Sequence, residues 1–224
     1  MDSVPYTFCD SVFSSMENLP KDAMPGSWGA VLKNHVTNRR KFEFCINFND
    51  NQWSYTIGEV VLSPWGETWI ATSLDELLAI PSKYVWFSSI AILVAAKSLH
   101  YLERIPATER QIRRLWNDAQ LARKLGQVAS FHFSRNESHS LMFDDYFALL
   151  KNAQFRDILF DCEERNEAHH DFLRSQLRTG HLARLEVTAP DQLPGDIRTL
   201  LEGTMKETYR IGRFTTFDCP RSQM

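Results

Sequence analysis

The sequence predicts an α/β protein in which a short helical N-terminal segment and a β-hairpin lead into a β/α solenoid with parallel strands. Three observations predict it. First, the pattern apolar-x-x-apolar-x-apolar occurs at Val128-x-x-Phe131-x-Phe133, Phe155-x-x-Ile158-x-Phe160 and Leu182-x-x-Leu185-x-Val187, so the middle positions 131, 158 and 185 recur with a period of 27. A fixed period in the twenties marks stacked units of one strand plus one helix. Second, strand-like and helix-like segments alternate through the second half, which calls for parallel strands joined by right-handed crossovers. Third, Phe42, Phe44, Ile46 and Phe48 alternate with Glu43, Cys45 and Asn47, the period of a half-buried strand.

The elements follow in order. Phe8, Val12 and Met16 fall at i, i+4 and i+8, so residues 4–16 read as an amphipathic helix. Pro5 suits its first turn, where a missing N–H costs nothing. Leu19-Pro20 and Met24-Pro25-Gly26 punctuate the chain, and a second helix is expected around Trp28, Val31 and Leu32. After the Phe42–Phe48 alternation comes the turn cluster Asn49-Asp50-Asn51, and then Trp53, Tyr55 and Ile57 alternate again. Two such runs around a short polar turn make a hairpin. Ser73 with Glu76 forms a capping box ahead of Leu74, Leu77 and Leu78. Residues 84–93 read as a strand, and Phe87-x-x-Ile90-x-Ile92 fits the repeat template as the first strand of the solenoid. Ile112, Leu115, Ala119, Ala122 and Leu125 share one stripe of a helix over 108–125. Further strands are expected near 128–133, 157–162, 184–188 and 209–214, with helices near 140–151, 167–178 and 194–206. A weaker fourth repeat fits near Ile211, one residue short of the period, and continues to Phe214. Gly126 and Gly180 stand where helices end in a left-handed residue, and Leu193-Pro194 opens the last helix. The division is 1–40, helical; 41–72, hairpin region; 73–217, repeat units; 218–224, tail.

The bulk numbers narrow the function. A net charge of −3 with a pI near 6.2 makes no electrostatic case for a nucleic-acid partner. The apolar run 90–96 is far too short to cross a bilayer, which takes about 20 residues, so no membrane partner is expected. Met1-Asp2-Ser3 lacks the basic start and apolar run of a secretory signal. Cys9, Cys45, Cys162 and Cys219 are scattered and form no CxxC pair. Reduced thiols and a cytoplasmic or nuclear protein follow.

Two resemblances rest on short stretches. Met1-Asp2-Ser3-Val4-Pro5-Tyr6 with Phe8-Cys9-Asp10-Ser11-Val12 resembles the opening of a family of uncharacterised proteins expanded in nematodes. Leu159-Phe160-Asp161-Cys162-Glu163-Glu164, Phe172-Leu173-Arg174-Ser175-Gln176-Leu177 and His181-Leu182-Ala183-Arg184-Leu185-Glu186-Val187 resemble later segments of the same family. The opening is also similar to a degenerate F-box, with Val4-Pro5, Phe8, Val12, Phe13, Met16 and Trp28 in the analogous places. The spacing to Trp28 is short, and Gly26-Ser27 departs from the usual apolar-Cys-basic approach. F-box proteins often carry leucine-rich repeats behind the F-box, and that layout implies leucine-rich-repeat-like units here. The repeat lacks the Asn usual after the strand; Cys162 substitutes once.

Catalytic and metal patterns are weak. Glu167-Ala168-His169-His170-Asp171, with Cys162 upstream, is the metal candidate, but adjacent histidines on a helix point about 100° apart and a zinc helix wants His at i and i+4. A solvated helix start is the better reading. Asp144-Asp145 reads as helix N-terminal charge and Glu163-Glu164 as a solvated loop. Arg39-Arg40-Lys41 and Arg110, Arg113 and Arg114 read as solvated basic faces. No GxSxG, P-loop or dinucleotide fingerprint occurs, so no enzyme, cofactor or metal is expected. Trp53, Trp65, Trp69 and Trp86 are expected to fill the junction of hairpin and repeats, and an exposed one would mark a binding hot spot.

The expected function is therefore a protein-interaction module, in its specific form a substrate-recognition adaptor of a ubiquitin ligase. Pro5, Phe8, Val12 and Met16 would dock a Skp1-type adaptor, and the strand-face residues His132, Leu159, Asp161, Glu186 and Thr188 would hold a target protein. The alternative is a plain scaffold whose N-terminal helices cap the solenoid, since terminal units hide an apolar end. A docking helix exposes Phe8, Val12 and Met16, whereas a cap buries them. An enzyme with an unrecognised site is a third reading.

Overall fold

The structure is a computed structural model and describes residues 4–16, 18–49, 51–64, 66–94, 104–117, 128–135, 143–151, 153–211 and 214–219. Its elements are α1 (Tyr6–Ser15), α2 (Gly26–Asn38), β1 (Arg40–Asn49), β2 (Gln52–Ser63), β3 (Gly66–Ala71), α3 (Leu74–Ala79), a 3-10 turn (Ser82–Tyr84), β4 (Val85–Val94), β5 (Ile105–Ala107) and α4 (Glu109–Asn117). They continue with β6 (Val128–Arg135), α5 (Asp144–Leu150), β7 (Asp157–Asp161), α6 (Glu167–Thr179), β8 (Arg184–Thr188), a second 3-10 turn (Pro190–Gln192), α7 (Gly195–Thr204), β9 (Lys206–Ile211) and β10 (Phe214–Asp218).

Among the described residues, ten strands join one open sheet in the order β3-β2-β1-β4-β6-β7-β8-β10-β9, with β5 on the outer edge of β2. The run β1-β4-β6-β7-β8 is parallel throughout. It advances in chain order without the reversal of a doubly wound sheet. The repeat positions lie side by side: Ile90, Phe131, Ile158 and Leu185 form one cross-strand row, and Ile92, Phe133, Phe160 and Val187 the next. The hairpin expected at 42–57 is β1 and β2, with Phe48 opposite Trp53. It is not a separate unit, because β1 pairs directly with β4.

The fourth repeat near Ile211 does not extend the parallel run. β9 pairs with β10, and it is β10, running antiparallel, that closes against β8. Ile211 stands opposite Phe214 across the antiparallel pair, so the two halves of the supposed repeat occupy different strands. β3 and β5 had no counterpart in the pattern reading.

The helices with buried side chains in the main core lie on one face. Phe131, Phe133, Phe147, Phe155, Phe160 and Phe172 meet with ring centroids 4.9–6.4 Å apart. Leu77 of α3, Ile112 of α4 and Ile197 and Leu201 of α7 bury into the same cluster. Each such Phe contributes roughly 1.5–3 kcal/mol by leaving water. Local chemistry sets the helix ends. Ser73 and Glu76 form the reciprocal capping box of α3, and Gly180 ends α6 at φ 70°, where a side chain would be strained. The helix expected over 108–125 is described from Glu109 to Asn117; Ala119, Ala122, Leu125 and Gly126 lie outside the described residues, as does the side chain of Leu115. Residues 140–142 of the next expected helix lie outside them too.

α1 and α2 pack on each other around a smaller cluster of their own: Cys9, Phe13, Val31 and Leu32. Gly29 is needed here, because a Cβ would collide with the Met24 carbonyl oxygen.

Candidate functional site

The face of the sheet away from the helices is built by alternation. Between core positions 131 and 133 stands His132, between 158 and 160 Leu159, and between 185 and 187 Glu186. The register sets Ala91, His132, Leu159 and Glu186 side by side. His132, Leu159 and Glu186 are half-buried and form a strip across three parallel strands. One row toward the strand starts lie Ser89, Ser130, Asp157 and Arg184. Arg184 holds Glu186 at 2.6 Å.

The row toward the strand ends is a hydrogen-bonded ladder. Ser134 Oγ donates to Asp161 Oδ2 at 3.2 Å and Thr188 Oγ1 donates to Asp161 Oδ1 at 2.8 Å, each bond spanning 27 residues. The sequence period thus reappears as a side-chain bridge over three strands. Thr188 is fully buried; its carbonyl oxygen accepts from the Arg165 guanidinium. Of the five strand-face residues expected to meet a partner, the structure brings all to one face. Thr188 has no surface to offer, being fully buried with its hydroxyl on Asp161, and Asp161 is half-buried.

The helix pair presents a different face from the one the period suggested. Cys9 and Phe13 are buried, and Met16 packs half-buried against the same cluster. Val12 is half-buried, Pro5 is exposed at the N-cap, and Phe8 is 55% exposed. The Trp28 ring meets both Phe13, at 5.5 Å, and Phe8, at 6.0 Å, edge to face. The expected stripe of Phe8, Val12 and Met16 is therefore split between solvent and the helix interface.

No protein-family model, no curated protein and no solved structure matches this chain.

The remaining candidates resolve into structural roles. His169 is not solvated but buried among Phe133, Phe147 and Phe160. Its Nδ1 accepts from the Asn166 amide at 3.1 Å while Asn166 Oδ1 accepts from the His169 amide at 3.2 Å, closing a capping box on α6. Burial, with the charge of Arg135 behind it, lowers its pKa to about 3, so the imidazole is neutral. Glu167 and Asp171 are exposed on that helix and both engage Arg174. Among the described residues, no group of three or more His, Cys, Asp and Glu side chains is placed to hold a metal. The Cys162 thiol is buried, which raises its pKa, and donates to the Glu164 carbonyl at 3.0 Å. Glu163 and Glu164 are exposed. Asp144 accepts from Asn166 at 2.7 Å and Asp145 from Arg113 at 2.6 Å.

Arg39, Arg40 and Lys41 are each held by a partner. Arg39 donates to the Phe13 and Met16 carbonyls at 2.6 and 2.7 Å and lies over Trp86. Arg40 engages Glu59, and Lys41 meets Glu67 at 3.0 Å. Arg110 is exposed, and the side chain of Arg114 lies outside the described residues. Trp53 is buried against Phe48 and Phe143. Trp69 is 42% exposed with its Nε1 donating to Glu43 at 2.9 Å, and Trp65 lies outside the described residues. A cleft of about 370 Å³ opens between α7 and β9 over Leu201, Met205 and Phe217. Of its charged groups, Glu207 is held by Arg210 at 3.1 and 3.2 Å. No helix is long and apolar enough to cross a membrane among the described residues.

Proposed function

We propose that this chain is a protein-interaction module that holds a partner against the strip of His132, Leu159 and Glu186. The observation that carries the reading is that strip: three half-buried side chains in register on adjacent parallel strands. On this reading the strands β4, β6, β7 and β8 with their helices form a short leucine-rich-repeat-like solenoid. A solenoid of this kind binds through its strand face, where the residues between core positions are free to vary without disturbing the fold.

The specific form is a substrate-recognition adaptor of a ubiquitin ligase, with the helix pair docking a Skp1-type adaptor. Two observations favour docking over a plain capped scaffold. The apolar cluster of the pair stands apart from the main core, whereas a cap would close that core. Tyr6 and Phe8, at 43% and 55% exposure, offer an aromatic patch to a partner. The test is to purify the tagged chain from nematode cell extract beside a Phe8→Asp variant and identify what is retained by mass spectrometry. Recovery of the adaptor with the parent and its loss with the variant is the expected result. A folded, monodisperse chain that never retains the adaptor would leave the capped scaffold.

A further inference from the structure

The two outermost strands of the sheet differ in what they offer to another strand. Along β9 stand Lys206, Glu207 and Arg210, all exposed. Along β3 all six residues are exposed, yet Glu67 is the only charge. Trp69 is 42% exposed, Ile70 54%, and Leu62 beside them on β2 81%. An uncovered edge of this composition is a template for strand pairing.

Register along this edge supplies the complement. Glu67 is level with Leu62, Ile70 with Glu59 and Ala71 with Gly58. Further along the same edge of β2, Ile105 is level with Tyr55, so Arg104 comes level with Thr56. Glu67 therefore lies three positions to one side of Ile70, from Leu62 to Glu59, and Arg104 three to the other, from Glu59 to Thr56. Both belong to the face away from the helices. Glu67 meets Lys41 there, and the charge of Arg104 acts on the Cys45 thiol of the same face.

We propose that β3 is a dimerisation edge: two copies of this chain pair antiparallel about a two-fold axis at Ile70, each Glu67 facing the partner's Arg104. A two-fold contact is self-complementary, so the ion pair forms twice. The same operation sets Trp69 opposite the partner's Ala71, a small residue beside a large ring, and joins the two sheets into one. The equivalent operation on β9, about Thr208, would set Lys206 against the partner's Arg210, and like charges directly opposite oppose pairing. The edges are thus distinguished by charge as well as by apolar exposure.

Sedimentation velocity of the full chain over a wide concentration range tests this. The expected result is a reversible monomer–dimer equilibrium. Ile70→Lys places two ammonium groups on the axis and weakens it by about tenfold or more. Glu67→Arg weakens it similarly, and adding Arg104→Glu to that variant restores it. Ile70→Cys provides an independent readout: under mild oxidation it forms an intermolecular disulfide that the parent chain does not. All the substituted side chains are exposed, so circular dichroism should be unchanged. A monomer at every concentration, a dimer indifferent to Ile70→Lys, or a charge swap without restoration would overturn the proposal.

Discussion

The parallel centre of the sheet and the N-terminal helix pair solve the problem of burial in opposite ways. In the centre, interlocked phenyl rings from β6, β7, α5 and α6 leave water together. The helix pair has an apolar cluster of four buried residues, Cys9, Phe13, Val31 and Leu32, and reaches Lys83 through a polar contact. Asp10 accepts from Lys83 at 3.1 Å and lies 3.0 Å from His35 Nε2. Burial would raise the Asp10 pKa, but the hydrogen bonds from Lys83 and His35 outweigh it and hold the carboxylate ionised. His35 is fully buried with its Nδ1 unpartnered, and burial lowers its pKa. The ring of His35 also meets Tyr84 at 5.2 Å. The difference teaches that the centre depends on area and shape, whereas the attachment of the pair depends on charge and protonation. The pair can therefore be loosened while the sheet stays folded.

The largest effect should come from the centre. Phe160→Ala leaves a cavity among four aromatic neighbours and costs about 3–5 kcal/mol, seen as a lower urea midpoint by every probe. Phe13→Ala, by contrast, should remove hydrogen-exchange protection from residues 6–38 and leave β6–β8 protected. Equal loss in both regions would erase the distinction.

Next is the 27-residue ladder. Asp161→Ala strands the buried Thr188 hydroxyl and costs about 1–3 kcal/mol. Adding Thr188→Val should recover part of that loss in a double-mutant cycle, because the Thr188 donor is then gone and only the Ser134 hydroxyl is left without its acceptor.

Protonation acts on both regions. The unfolded imidazole of His169 takes its proton near 6.5 and the folded one only near 3. Its contribution is complete above pH 6.5 and is lost as pH falls from 6.5 toward 3, by about 1.4 kcal/mol per unit. His35 shifts in the same direction. His169→Gln keeps a capping side chain at the third helical position without the titration, and should flatten the pH dependence of thermal stability across that window.

The smallest effect belongs to the latch. Lys83 and Asp10 are partly exposed, so Lys83→Met should cost less than about 1 kcal/mol globally. Exchange should quicken in α1 and α2 alone.

Much of the centre was legible in the sequence, because each repeat position is both apolar and in register with its neighbour. Phe131, Ile158 and Leu185 could be aligned before any strand was paired. The capping box at Ser73 and the end at Gly180 were legible for a local reason: their chemistry lies within four residues. The antiparallel flanks were not. β3 is a fully exposed edge with no buried alternation to detect, and β9 with β10 imitates a strand continuing the period while reversing direction. The rotation of α1 was hidden because Phe8, Val12 and Met16 and the rival stripe Cys9, Phe13 and Met16 are both apolar; only α2 decides between them. The role of His169 was missed because a cap at that position is expected from Glu or Gln, and the cue was the preceding Asn166.

The most direct test of the interaction reading is site-specific photo-crosslinking in extract, with a benzophenone side chain placed at Leu159 on the strand face or at Glu202 on the helix face. The same protein captured at Leu159 and not at Glu202, and lost when His132 and Glu186 are substituted, is the predicted result. A partner captured only at Glu202 would contradict a binding surface built on the parallel strands.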